Sequence, residues 1–505
     1  MELLDLFHKW VPLYLRLPVL FLMFFVVLTA NGIFLGNANE ISSTLGVYSE
    51  PFTEAYNALY IGMALGLIFH FRLKLRFTNK TLLLFGFTTQ LLMNIVCATT
   101  SNTVVFVTAC LVIGFVKISA LIEVYVIWMY IWSKKLDTAR LYPFVYFTAL
   151  SGIYFMFWLT TWLAFNYDWR FSYIWVFILL LVCLLSALLL VENNKLKRPL
   201  PLYQMDYLGI ILLGSSMMLL NYATVNGKVE DWFHSKWISA ACLGSLITFL
   251  LFIRRQLRLK RPLIDLNLFK LASFRRGLFY FMVLGIFLPG TFQGALTGGI
   301  LRYDATTNME LNIYLIPGVL TGCIVCYLWY FFKRDPEILI ISGFACFVIY
   351  HIFMYNYFST SLSLNEFLLP SFIKGFATAV IYISVGLLTL KGLGLDRIIS
   401  AGGAMIMARS FLGSGVAGAF YSYFLYAQRI RHLDYLAVHA DAVDFQVREA
   451  GKGLYAQFQE QATLAASKEL TGLIIIAGIM LLVYLITRYF YMKVIGWLSP
   501  PVPAV

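Results

Sequence analysis

Lys117 and Glu123 lie deep inside one uninterrupted apolar run, from about residue 103 to 131. Six residues turn a helix by roughly 240° at 3.6 residues per turn, so the two do not pair along one face. A charge held in hydrocarbon costs at least about 2.5–3.5 kcal/mol, so each needs a partner on another segment or a wet cavity. A carboxyl kept from bulk water is also the kind of group that takes up and releases a proton, and Glu123 is the first candidate for that task. Glu40 and Glu54 are two further carboxyl candidates, at positions where ordinary interfacial solvation is the competing account. Asn31 and Asn37 sit in the outer half of the first apolar run, and Lys374 and Arg409 in two later ones. With Lys117 they are the candidates for lining a polar path through an apolar protein.

Composition says what must position these groups. Of 505 residues, 61% are hydrophobic and 12% charged, against about 25% charged in soluble domains. Disorder is excluded by the apolar content. A β-barrel is excluded because the apolar runs are continuous rather than alternating. The expected class is an all-α membrane protein with fourteen transmembrane helices of about 20 residues each. The runs lie near 18–38, 52–71, 81–98, 103–131, 141–164, 171–191, 206–224, 236–253, 277–297, 311–332, 336–356, 366–390, 402–426 and 469–490. Alternating sides gives about 22 Lys and Arg in the loops of one face against 4 in the short loops of the other, the bias that marks a cytoplasmic side. An even number of spans then puts both termini in the cytoplasm.

The net charge of +13 therefore faces anionic lipid headgroups, not nucleic acid. Glu2, Asp5, Lys9 and Arg16 interrupt any signal-peptide core, and the stretch from Leu3 to Leu17 reads as an interfacial amphipathic segment. The seven cysteines fall within apolar runs. Cys323 and Cys326 form a CxxC in mid-run and read as packing residues, and the six histidines make no ligand cluster, so neither metal nor cofactor is expected. No phosphate-binding loop is present, and no His/Asp or Ser/Lys constellation marks an enzyme. Gly290, Gly294 and Gly298 recur every fourth residue, a spacing that permits close helix contact. The stretch 427–468 is the one long external loop. Its apolar residues repeat at near-helical spacing between acidic ones, so it reads as an amphipathic helix outside the membrane, either extending the preceding span or docking another protein.

Several motifs carry a resemblance. Tyr167-Asp168-Trp169-Arg170 opens the sixth run, Asp206-Tyr207-Leu208-Gly209 opens the seventh, and Pro262-Leu263-Ile264-Asp265-Leu266-Asn267-Leu268-Phe269 precedes the ninth. Phe372-Ile373-Lys374-Gly375 and Arg409-Ser410-Phe411-Leu412-Gly413 lie in the twelfth and thirteenth. Together they resemble the fourteen-helix drug:proton antiporter branch of the major facilitator superfamily, in a divergent form. In the loop after the second run only Leu73 and Arg76 remain of the superfamily pattern G-x-L-x-D-R-x-G. The branch's G-P-x-x-G-G is absent near residues 156–161, and its acidic and arginine positions fall at Ala30 and Cys110. Lys117, two turns from Cys110 on the same face, is the replacement candidate.

The resemblance implies a six-helix bundle over 1–191, a linker with two inserted helices over 192–274, and a second bundle over 275–505 that carries the external loop. It further implies alternating access about a midplane site, in the cell inner membrane, with proton-coupled export of small amphipathic or aromatic compounds. The external loop resembles the one that meets a periplasmic adaptor, on the way to an outer-membrane channel, in relatives from double-membrane bacteria. Uptake or exchange by the same fold, or a membrane sensor that moves nothing, are the alternatives.

Overall fold

The computed structural model describes residues 6–30, 32–74, 76–132, 138–193, 206–259, 262–438 and 445–498. Asn31 and most of the linker after residue 193 lie outside them. The described chain is helical apart from one isolated antiparallel bridge, Phe7 with Val191. Twelve helical segments among the described residues are long and apolar enough to cross a bilayer. Two of the fourteen expected spans fall short of that standard, the first and the thirteenth.

The first span corrects the sequence reading. In place of one run over 18–38, helix α1 (Leu13–Thr29) has only 17 residues. A 3₁₀ turn, Leu35–Asn37, and the short helix α2 (Ala38–Leu45) follow. Gly32 supplies the physical reason, because its φ of 56° is left-handed and ends a right-handed helix. Of the expected amphipathic stretch Leu3 to Leu17, residues 3–5 lie outside the described residues, Leu13–Leu17 form the first turns of α1, and residues 6–12 are not helical. His8 N–H donates to Leu190 O at 2.9 Å and Glu192 N–H to Leu6 O at 2.8 Å, an extended pairing. That pairing places the described amino-terminal stretch beside residues 190–192.

The remaining helices follow the apolar runs. They are α3 (Glu50–Lys74), α4 (Asn79–Thr99), α5 (Thr103–Trp132), α6 (Thr138–Asn166), α7 (Arg170–Leu190), α8 (Tyr207–Asn226) and α9 (Lys236–Arg258). Next come α10 (Ala272–Phe287), α11 (Thr291–Gly294), α12 (Ala305–Ile313), α13 (Ile316–Phe331), α14 (Pro336–Tyr357) and α15 (Leu368–Leu390). The last are α16 (Leu395–Ile406), α17 (Val416–Val438) and α18 (Phe445–Leu498). Two π-helical stretches interrupt the pattern, Ala295–Ile300 after α11 and Met407–Gly415 between α16 and α17.

The expected external stretch 427–468 is helical on both sides of residues 439–444, as extensions of its flanking helices. The 54 residues of α18 span roughly 80 Å at 1.5 Å each, well beyond a hydrocarbon core of about 30 Å.

The chain forms two compact units drawn from interleaved stretches: residues 1–289, 304–313 and 386–423, and residues 290–303, 314–385 and 424–505. In the first, α3 and α5 cross backbone to backbone. A Cβ on Gly62 would strike Leu111 O, and one on Gly114 would strike Leu59 O. The second unit uses the same device between α13 and α15, where a Cβ on Gly318 would strike Phe372 O. Within it, Arg302–Glu460 at 2.8 Å ties the turn after Ala295–Ile300 to α18, and His432–Glu469 at 3.3 Å ties α17 to α18. Cys323 and Cys326 are buried there as packing groups.

Helices α8 and α9 are pinned at one acidic residue. Asp206 caps α8 by accepting from Gly209 N–H at 2.9 Å. It also accepts from Arg255 Nε and Gln256 Nε2 of α9, each at 2.8 Å. Gln256 Oε1 in turn accepts the Ile264 N–H of the connector at 3.4 Å. Burial opposes the charge on Asp206, but the bonds from Arg255, Gln256 and Gly209 outweigh it and hold the carboxyl below its ordinary pKa. Stability from a depressed carboxyl is complete above the unfolded value, about 3.9, and is lost as pH falls through the folded one. Asp206→Ala should therefore cost about 1–2 kcal/mol at neutral pH. In thermal unfolding of the purified protein, the gap to wild type should narrow as pH drops below about 4. A gap unchanged at that pH would show that the charge contributes nothing.

Candidate functional site

Glu123 is 1% exposed, in the carboxy-terminal half of α5. Its Oε1 lies 3.3 Å from His70 Nε2, and its Oε2 accepts from Lys74 Nζ. His70 and Lys74 are four residues apart on α3 and so share a face. His70 is buried, while the Lys74 side chain is 36% exposed and also reaches Asn79 Oδ1. The carboxylate thus meets one imidazole and one ammonium at the end of a membrane helix. Sequence reading singled out Glu123 but neither partner. The available signal was the His-x-x-x-Lys pair closing an apolar run opposite the acid.

The loop remnant lies just beyond. Leu73 O accepts from Arg76 N–H at 2.9 Å and Phe77 N–H at 2.8 Å, which turns the chain. The Arg76 side chain is exposed, so this pair shapes the turn that carries Lys74 to Glu123.

Lys117 is fully buried, six residues ahead of Glu123 on the same helix. Its Nζ donates to Ala30 O at 2.7 Å, where α1 ends. The break in the first span therefore exposes a carbonyl, and a lysine on α5 takes it. Cys110, where the resemblance would place an arginine, borders a cavity of about 30 Å³ with Ala30, Gln90, Asn94, Cys97 and Tyr173. That is room for water. Asn37 is buried too, and its Nδ2 donates to Thr160 O at 3.3 Å, tying the broken segment to α6. Asn31 lies outside the described residues.

The other two carboxyls are peripheral. Glu40 is exposed on α2, and partial burial followed by the charge of Asp168 raises its pKa. Glu54, half-buried at the start of α3, accepts from Asn226 Nδ2 at 3.2 Å. Asn221 bonds its backbone carbonyl at 2.9 Å, and Asn57 bonds Asn221 at 2.9 Å. That asparagine chain joins α3 to α8.

Arg409 sits on the π-helical stretch Met407–Gly415, a backbone form that concentrates at functional positions. Its Nη1 donates to Tyr146 Oη at 3.3 Å, and the Tyr142 ring lies 5.6 Å from that of Tyr146. A guanidinium beside tyrosines can receive an aromatic or polar guest. Lys374 belongs to the other unit, where its Nζ lies 5.0 Å from the centre of the Tyr350 ring. Among the described residues no group of three or more His, Cys, Asp and Glu gathers as a metal site.

The chain is similar in sequence to the multidrug export protein EmrB of Escherichia coli (strain K12), 26% identical over 220 residues, 42% of this chain and 41% of that protein. EmrB of Haemophilus influenzae is 22% identical over 268 residues, 50% of this chain and 49% of that protein. The probable multidrug resistance protein EmrY of Escherichia coli (strain K12) is 23% identical over 258 residues, 48% of each chain. The chain thus spans about half or less of the length of the curated relatives it matches. No family model matches. Among solved structures, tetrameric PepTSo2 aligns with a TM-score of 0.58 at 13% identity, over 94% of this chain and 98% of that one. The nucleoside transporter NupG aligns with a TM-score of 0.53 at 11% identity, over 92% and 98%. These likenesses establish the fold. The relatives and neighbours are transporters rather than enzymes, and the chain is a multi-pass membrane protein.

Proposed function

We propose that this chain, a divergent member of the drug:proton antiporter branch of the major facilitator superfamily, exports small amphipathic or aromatic compounds by alternating access, driven by protons. One observation carries the reading: ionisable side chains stranded in bilayer-length helices are turned inward, onto other helices. Glu123 and Lys117 are buried against α3 and the broken end of α1, where charge is retained only for a use. The multidrug export relatives supply the direction and the substrate class.

In this reading the proton resides on the Glu123–His70 pair. A proton there removes the anion that Lys74 faces and loosens the inner ends of α3 and α5. Restoring the carboxylate closes them again. Arg409 with Tyr146, and Lys374 with Tyr350, are the groups a substrate meets. Fourteen crossings, with the shortened α1 and the interrupted α16–α17 counted, give cytoplasmic termini in an inner membrane. The extensions of α17 and α18 then stand on the opposite side, where a periplasmic adaptor leading to an outer-membrane channel would dock.

The test is transport in proteoliposomes holding the purified full chain. Efflux of a fluorescent amphipathic dye should follow an imposed proton gradient and stop when the gradient is collapsed. Equal exchange of dye with no gradient effect would instead identify a facilitated carrier. Dye binding without movement would identify a sensor.

A further inference from the structure

Among the described residues the Lys374 ammonium has no counter-anion. No carboxylate there lies within ion-pair reach of its Nζ, which sits over the face of Tyr350, 5.0 Å from the ring centre. The helices packed around it explain the gap. The only acidic residue of α14 is Glu337, at the far end, and it is taken by Arg488 at 3.1 Å. The sequence of α13 carries no acid at all. A cation–π contact supplies about 0.5–2 kcal/mol, which does not cover the cost of a charge placed within a membrane helix.

Two further features surround the same ammonium. Tyr350, 1% exposed, donates its hydroxyl to Gln293 Oε1 at 3.0 Å. That bond fixes the amide so that its nitrogen is left to donate. The glycine face that carries Gln293 is not packed by a neighbouring helix as its spacing predicts. A Cβ on Gly290 would meet only Lys374 Nζ, at 3.9 Å, and one on Gly294 would meet nothing within 4 Å. A bare helix face, an oriented amide, an aromatic ring and an unneutralised cation therefore lie together in one unit.

We infer that Lys374, Tyr350, Gln293 and the Gly290–Gly294 face form a binding site for the carboxylate end of an aromatic amphiphile. The carboxylate meets the ammonium and the Gln293 amide, and the aromatic body lies in the space the glycines leave. This assignment rests on the export reading for its purpose, but its test does not need transport.

Three pyrene probes share one body and differ in the head group: pyrenebutyrate, its primary amide and the matching amine. Fluorescence titration of the purified full-length protein in nanodiscs at neutral pH compares them. The carboxylate should bind about tenfold or more tighter than the amide, as a charge-assisted bond in a partly dry site gives. Lys374→Gln should bring the carboxylate down to the affinity of the amide, and Lys374→Arg should keep the preference. Tyr350→Phe, which frees Gln293, should reduce it. A wild-type protein that prefers the amide or the amine overturns the assignment, and so does a preference that survives in Lys374→Gln. Proton-driven efflux of the amine without any carboxylate preference overturns this site and leaves the export reading standing. A Lys374-dependent carboxylate preference in a protein that moves no probe supports the site and removes the export reading.

Discussion

Glu123→Gln should still exchange dye across the bilayer but should no longer answer a proton gradient, its gradient-driven efflux falling by about tenfold or more. Glutamine keeps the size of the acid and its hydrogen-bonding ends but is neutral at every pH, so it holds the site permanently in the state that protonation produces. The change is structurally mild because of where the partners stand. Lys74 has a side chain 36% exposed and can turn to water when its anion is gone, and the glutamine amide still offers His70 a hydrogen-bonding partner. The expected stability cost is about 1–3 kcal/mol, that of one charged hydrogen bond. Lys74→Met tests the opposite half, since it leaves the carboxylate facing His70 alone in a buried place. The measurements are dye efflux under an imposed gradient and counterflow without one, on the same proteoliposomes. If Glu123→Gln keeps the gradient response, the proton travels elsewhere and the cluster is a tie between α3 and α5. If it loses counterflow as well, the cluster is needed for rocking rather than for coupling.

The limits of the sequence show in the same residues. Burial of Glu123 was legible because an acid within an apolar run has nowhere else to go. Its partners were not, because His70 and Lys74 lie on another helix, and one-dimensional spacing does not reveal which faces meet. Helices with continuous apolar runs were read closely: 81–98 became Asn79–Thr99, 171–191 became Arg170–Leu190 and 336–356 became Pro336–Tyr357. The first span was misjudged because hydropathy averages over Gly32, whose left-handed φ stops the helix whatever the surrounding residues. The thirteenth was only partly seen. Its polar, glycine-rich stretch Met407–Gly415 winds as a π-helix, a form set by packing and without a hydropathy signature. Lys374 was recognisable as a cation in a membrane run, but the missing counter-charge is a property of the helices around it.

Glycine spacing gives the second large effect, and it sets two equal sequence patterns against each other. Gly62 and Gly66 stand four apart, as do Gly290 and Gly294. In the first pair the partner helix is in contact, and added carbon would press on Leu111 O and Phe115 O of α5. Gly114 answers from the other side, where a Cβ would strike Leu59 O and come within 3.0 Å of Met63 N. These are backbone atoms of a packed helix pair and cannot swing aside. Gly114→Leu should therefore cost about 3 kcal/mol or more and drive the helices apart, visible as loss of the monodisperse peak in size exclusion and a lowered unfolding temperature. Gly294→Ala meets open space on a backbone with φ of −63° that any residue adopts. It should fall within about 0.5 kcal/mol of wild type or gain slightly from helix propensity. Should Gly294→Ala be the damaging one, the empty face beside Lys374 is in fact a packed contact, and the space assigned to a substrate there does not exist.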